Sequence, residues 1–317
     1  MRNQKRLAGV LLALSLLTFA VVPVCGQVSG WRPGMLRERM AARRANAGGG
    51  THVTLPAGTR VVRDVAYGRD PRQRFDVYAP RDAPGAPVIV MVHGGGWSRG
   101  DKAMANVVQA KVARWVPRGF IVVSTNYRMV PDADPVEQAR DVARAVAAAQ
   151  RRAAEWGGDR TRFVLMGHSA GAHLVALLAS DPALASAQGA APWLGTVSLD
   201  GGTMDVVETM QGRHFALFDN AFGRDPAFWR AASPLHALKA GGPPVLLVCS
   251  SRRSDSCPQA RAFATRAEAL GRRAQVLPEN LSHAQVNATL GEDGAYTTAV
   301  ERFLASLDPV IAARLRR

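Results

Sequence analysis

Cysteine is scarce here: three residues, at positions 25, 249 and 257, in a chain of 317. That excludes a small disulfide framework. No Cys/His cluster has metal-ligand spacing either, so neither a metal nor a cofactor is expected. Lysine is rarer than the charge suggests: positions 5, 102, 111 and 239 are the only lysines among 40 basic residues. The remaining basic residues are arginines spread through every segment. A nucleic-acid binder would gather them on one face or tail, so the net charge of +15 does not point to one. Aromatics make up 6% and hydrophobic residues 47%, the balance of an ordinary globular protein and not of a disordered or membrane-embedded chain.

The first 26 residues stand apart. Arg2, Lys5 and Arg6 precede an apolar run from Leu7 to Val24, with Gly26 following. This is the pattern of a signal peptide, and it predicts a periplasmic or secreted protein with no stable membrane span after cleavage. The alternatives are a tether through an uncleaved leader or through a lipidated Cys25, although Val22-Pro23-Val24 lacks the small residue expected before such a cysteine. Residues 27–58, with Gly48-Gly49-Gly50 and the cluster Arg32, Arg37, Arg39, Arg43 and Arg44, read as a flexible basic lead-in. Once the leader is removed, Cys249 and Cys257 remain. They read as a disulfide bracketing Asp255 or as two unrelated thiols.

From residue 59 to 308 the pattern is that of one α/β domain. Val61 to Tyr67 and Arg74 to Tyr78 suggest an antiparallel pair at a sheet edge. Short apolar runs follow at 88–92, 120–123, 162–166, 196–199 and 245–248, separated by helical patterns at 103–116, 135–156, 170–179 and 259–270. Runs without polar alternation are strands buried on both faces, and strands separated by helices imply right-handed crossovers and a mostly parallel sheet. Residues 203–243 break the rhythm, with Met204, Met210, Phe215, Phe218, Phe222, Phe228 and Trp229 but no clean strand. They are too long for an ordinary loop and read as a cap-like insertion over the sheet.

Two motifs carry chemistry. Gly167-His168-Ser169-Ala170-Gly171 links a buried strand to a helix, a sharp turn that projects a hydroxyl clear of the backbone beside the positive end of a helix. His93-Gly94-Gly95-Gly96-Trp97 closes an earlier strand. Its glycines expose amides, so Gly94 or Gly95 together with Ala170 would form an oxyanion hole. A phosphate loop would need Lys-Ser/Thr where Trp97-Ser98-Arg99 stands. Trp97 and His168 are taken as substrate-pocket residues. The base is expected late in the chain, after the last strand, where Ser282-His283 fits; His52, His93, His168, His173, His214 and His236 are weaker placed. The acid is expected after the fifth parallel strand, where Asp255 sits, with a helix cap as its plainer role and Asp200, after the fourth, as the alternative acid.

With the order Ser169, Asp255, His283, the stretch from about 60 to 306 resembles the α/β-hydrolase superfamily. It is most similar to the serine esterase/lipase group with the His-Gly-Gly-Gly motif, the hormone-sensitive-lipase-like and bacterial carboxylesterases; Asn126-Tyr127-Arg128 matches that group too. The segment Gly167 to Leu174 also resembles arylformamidases and feruloyl or acetyl esterases. The resemblance implies hydrolysis of a small-molecule or glycan-linked ester through an acyl-enzyme on Ser169, with a formamide or amide hydrolase and a silent binding protein as alternatives. The lead-in is too glycine-rich for the N-terminal cap that lipase-like members often carry.

Overall fold

The computed structural model describes residues 53–316 except Ala83; the leader, Cys25, His52 and the arginine cluster of the lead-in lie outside the described residues. Strands β1 (Thr59–Ala66), β2 (Arg74–Pro80), β3 (Ala86–Val92), β4 (Ile121–Thr125), β5 (Gly158–His168), β6 (Gly195–Leu199), β7 (Val245–Ser250) and β8 (Ala274–Glu279) form one sheet. Their order is β1-β2-β4-β3-β5-β6-β7-β8. β2 runs antiparallel to both β1 and β4, and every other pairing is parallel. The expected edge pair and the expected parallel core are both present.

The helices follow in chain order. α1 (Ala105–Trp115), α2 (Pro135–Arg152), α3 (Ala170–Ser180) and the short α4 (Pro182–Ser186) precede four small helices in the insertion. Those are α5 (Val206–Gln211), α6 (Ala216–Phe222), α7 (Pro226–Ala232) and α8 (Pro234–Ala237). Then come α9 (Ser256–Ala269), α10 (His283–Ala288), α11 (Ala295–Ala305) and α12 (Pro309–Leu315). α2 starts where local chemistry directs: the Asp134 side chain accepts from the Val136 and Glu137 amides, and Pro135 opens the first turn.

Alternate residues of the strands enter two cores. Val88, Val90, Val123 and Leu165 face α2 and α3, whereas Ile89, Met91, Val122 and Met166 face α1 and α11. Each fully buried side chain of this kind contributes on the order of 2 kcal/mol. α3 lies wholly inside, all 11 residues buried. That leaves the front of the sheet rigid around the turn between β5 and α3.

Two parts carry more than the sequence reading named. Residues 203–243, read as a cap-like insertion without a clean strand, hold four short helices set off by Asp225-Pro226 and Ser233-Pro234, too brief for a periodic pattern to show. The chain also continues past 308 into α12, where Ile311 is buried and the Arg314 guanidinium donates to the Gly119 carbonyl at 2.6 Å.

Candidate active site

The turn after β5 holds Ser169 at φ 55°, ψ −118°, a backbone region in which few non-glycine residues are found. Its amide donates to the Leu199 carbonyl at 3.0 Å, so β6 braces the turn. The two flanking glycines are required by contact. A Cβ on Gly171 would lie 2.3 Å from the Val92 carbonyl oxygen, and one on Gly167 would lie 2.2 Å from the Gly171 oxygen. The helix can therefore start directly against the end of β3, presenting the Ser169 hydroxyl beside the following loop.

His283 opens α10, and Ser282 caps it: the Ser282 hydroxyl accepts from the Gln285 amide while the Gln285 side chain accepts from the Ser282 amide. That capping box sets the imidazole between two partners. Ser169 Oγ lies 2.9 Å from Nε2, and Asp200 Oδ2 lies 2.5 Å from Nδ1. The tautomer that satisfies both carries its proton on Nδ1, donating to Asp200, and accepts from the serine hydroxyl on Nε2. The histidine side chain is 34% exposed whereas the carboxylate is 0% exposed, so the imidazole faces solvent and the carboxylate does not.

Asp200 follows β6, at φ 53°. Burial pushes its carboxyl up, but the His283 hydrogen bond, the Arg253 charge and the Ser256 hydroxyl outweigh it and hold the group far below the usual carboxylate range. Oδ1 accepts from the Ser250 amide at 2.8 Å and the Ser256 hydroxyl at 2.5 Å; Oδ2 also accepts from Arg253 Nη1 at 3.1 Å. A buried carboxylate so supplied stays ionised.

The placement of the acid is a correction. Asp255 was expected against His283, and the structure instead pairs it with Arg253, at 3.1 and 2.8 Å, on a side chain 46% exposed. Nor does its side chain cap α9. The loop after β7 does reach the site, but it delivers Arg253 and Ser256, and the carboxylate comes from the neighbouring strand. Sequence order cannot separate two aspartates at adjacent strand ends. Arg253, Ser250 and Ser256 were not anticipated; the only signal was their position between Cys249 and Cys257, which the structure joins in a disulfide.

The glycine loop comes within contact of the turn. A Cβ on Gly94 would lie 2.8 Å from Ser169 Cβ, and one on Gly95, at φ 127°, would lie 2.0 Å from the Arg99 carbonyl oxygen. The loop is braced from behind by the Asn126-Tyr127-Arg128 segment. The Tyr127 hydroxyl donates to the His93 carbonyl at 3.0 Å and its ring stacks on His93 at 4.6 Å, while Arg128 is anchored on buried Asp141.

Trp97 and His168, expected to line a pocket, do different work. Trp97 is 3% exposed. Its indole N–H donates to His173 Nδ1 at 3.3 Å, and His173 donates from Nε2 to the Ala232 carbonyl of α7 at 2.8 Å. Phe218 and Phe222 of α6 pack on the indole at 5.7 and 4.8 Å. The oxyanion-type loop, the turn helix and the insertion are thus tied through one buried chain of rings. His168 donates from Nε2 to the His283 carbonyl at 2.9 Å, its ring 4.5 Å from the His283 ring. Burial first, and the neighbouring His283 second, pull His168 well below the ordinary histidine value, so it is a neutral support. Among the described residues no group of three or more His, Cys, Asp and Glu could hold a metal ion, and no helix is long and apolar enough to cross a membrane.

The comparisons agree with this architecture. Residues 75–261 match the BD-FAE family model. Esterase LipC of Mycobacterium tuberculosis is 32% identical over 232 residues, covering 66% of this chain and 56% of LipC. Esterase LipQ of the same organism is 32% identical over 255 residues, covering 74% of this chain and 59% of LipQ. The chain therefore spans little more than half the length of these curated relatives. Among solved structures, esterase B from Lactobacillus rhamnosis superposes with a TM-score of 0.66 at 18% identity, covering 89% of this chain and 94% of that one, a likeness of fold. The sheet order, the glycine-flanked turn and a family match over more than half the chain lead to one conclusion: the protein belongs to the BD-FAE family, within the esterase and lipase group of the α/β-hydrolase fold.

Proposed function

We propose that the protein hydrolyses carboxylic esters through an acyl-enzyme on Ser169. The observation that carries this reading is the continuous relay Ser169 Oγ, His283, Asp200, with separations of 2.9 and 2.5 Å, opening beside a glycine loop. In the reaction His283 Nε2 takes the serine proton as Oγ attacks the ester carbonyl. Asp200 holds the Nδ1 proton and stabilises the imidazolium without itself being protonated. The tetrahedral oxyanion is received by the amides of Gly94 or Gly95 and of Ala170. The Ala170 N–H lies in the first turn of α3, where no intrahelical acceptor exists. The Gly94 carbonyl is held by His93 Nδ1 at 2.8 Å, so the planar trans peptide turns the Gly95 N–H to the opposite side. The imidazolium then protonates the leaving alkoxide, and water activated by the same ring cleaves the acyl-enzyme.

The names of the curated relatives, esterases LipC and LipQ, support an ester rather than an amide substrate. The insertion borders the glycine loop: Leu217 of α6, itself 37% exposed, would meet a Cβ on Gly96 at 3.7 Å, and Phe215, two residues earlier, is 44% exposed. That apolar rim suits the acyl or aryl part of a small ester. Export through residues 1–26 belongs to the same reading, since a Cys249–Cys257 bridge is at home in an oxidising compartment.

The test is a chain-length series of p-nitrophenyl esters beside an aryl formamide, on the wild type and Ser169→Ala, with a fluorophosphonate probe. Ester turnover, labelling at Ser169 and a loss of several orders of magnitude in Ser169→Ala are expected. Turnover of the formamide alone would replace the ester by an amide substrate.

A further inference from the structure

Among the described residues, the donors to the Asp200 carboxylate other than His283 come from the segment that Cys249 and Cys257 close: the Ser250 amide, the Ser256 hydroxyl and Arg253 Nη1. Arg253 stands out among them because it brings a full charge to within 3.0 Å of His283 Nδ1. Two donors, Nη1 and the imidazole N–H, thus converge on the single oxygen Oδ2. The guanidinium is held there on all sides. Its Nε and Nη2 take both oxygens of Asp255, and Nη1 also reaches the Asp200 carbonyl at 3.3 Å. Opposite it the chain carries Gly202, where a Cβ would lie 2.4 Å from Nη2. The site is shaped for this side chain. These contacts engage all three nitrogens and four of the five N–H donors, leaving one N–H on Nη2.

We propose that Arg253 is a positioning residue that acts on the reaction through Asp200, as a fixed countercharge that orients the acid and moderates its pull on the His283 imidazolium. This role presupposes the Ser169 esterase reading and assigns it a fourth member. The physics has two parts. A bond from Nη1 fixes which carboxylate oxygen meets the imidazole, so its loss loosens the acid and lowers kcat. A cation this close also cancels part of the carboxylate field. Without it the imidazolium is favoured more strongly, and the free enzyme loses its base at a higher pH. The other charged and titratable groups around this ring are few. His168 packs on it from β5, Ser169 Oγ meets its Nε2, Asp255 pairs with Arg253, and Arg252 is turned to Asn280 and Gln285 at 2.9 and 3.5 Å. Lys111 of α1 donates to the Asn287 carbonyl at the far end of α10 at 2.6 Å and interacts with Glu292, and Tyr296 feels the charges of Glu279 and Asp200. None of these donates to the Asp200 carboxylate.

The experiment is the pH dependence of p-nitrophenyl butyrate hydrolysis for wild type, Arg253→Met, Arg253→Gln and Arg253→Lys. Arg253→Met and Arg253→Gln are expected to lower kcat about tenfold with KM nearly unchanged, because the side chain touches no substrate. The acidic limb of kcat/KM should move to higher pH by about half a unit or more. Arg253→Lys should restore that limb, because it restores the charge, while recovering kcat only in part, because an ammonium cannot fork between two carboxylates. An active wild type whose Arg253→Gln variant keeps both its kcat and its acidic limb overturns the role, as does a loss confined to KM. A wild type that hydrolyses no ester overturns the esterase reading itself, and the role with it.

Discussion

At the scale of single residues, the adjacent strand ends after β6 and β7 offer two aspartates, and their environments assign them different work. Asp200 is fully buried and donor-saturated, while Asp255 is half exposed and committed to Arg253. Asp200→Asn should therefore lower kcat by about 10⁴, because the amide favours the wrong imidazole tautomer. Asp255→Asn should cost no more than about tenfold. Equal losses in the two variants would refute the assignment. A second prediction concerns the turn itself. Gly171→Ala places a methyl 2.3 Å from backbone oxygen that cannot move without displacing β3, so it should abolish activity and lower the melting temperature even though alanine is the better helix former. A fully active, equally stable variant would show that α3 can shift.

At the scale of elements, the segment between Cys249 and Cys257 reaches the site through residues other than the aspartate expected of it. It holds Asp200 from three directions, and through Ser250 Oγ it donates to the Leu281 carbonyl, two residues before His283, at 2.5 Å. Closing so short a loop is worth about 2–3 kcal/mol in the chain-entropy picture. A Cys249→Ala/Cys257→Ala double variant should lose about that much in urea unfolding. At temperatures where it remains folded it should also lose kcat, because the donors to Asp200 are released together. Retained kcat with lowered stability would make the bridge a purely structural staple. The cap is linked by a different device, the path Trp97, His173, Ala232, which couples the insertion to the loop that would receive the oxyanion.

At the scale of the whole molecule, buried His93 and His173, with half-buried His168, set how the fold responds to acid. Burial draws His93 and His173 down to about 4, and His168 well below its ordinary value. In the unfolded chain such rings protonate near the ordinary ~6.5. Between that value and about 4 the unfolded state binds more protons, so stability falls as pH falls. Each fully buried ring contributes ~2–3 kcal/mol to that fall by the lower end of the window. His173→Gln should shrink the difference in unfolding free energy between neutral and mildly acidic solution by about that amount; an unchanged difference would show that His173 is not held neutral. Asp200 acts in the same direction at lower pH. Its carboxyl is held low, so its contribution is present above the ordinary carboxylate value of ~3.9 and is lost progressively as pH falls below it.

Much of this was legible beforehand, and the reason is local. Apolar runs without alternation identify strands buried on both faces, and the glycines of His93–Trp97 and Gly167–Gly171 mark places where a Cβ would strike backbone a few ångströms away. Ser169 and His283 could be picked out because each has a strict position relative to a strand, and Ser282 with Gln285 already spelled the cap that aims the base. The acid was different in kind. Asp200 and Asp255 sit at neighbouring strand ends, and which of them meets the imidazole depends on sub-ångström packing between segments 50 or more residues apart. The packing of the short helices over the glycine loop and the reach of Arg253 to Asp200, 53 residues away, are likewise decided by contacts distant in sequence. Local pattern determined where the chain turns and which side chains it exposes there; only the closed sheet determined which of them touch.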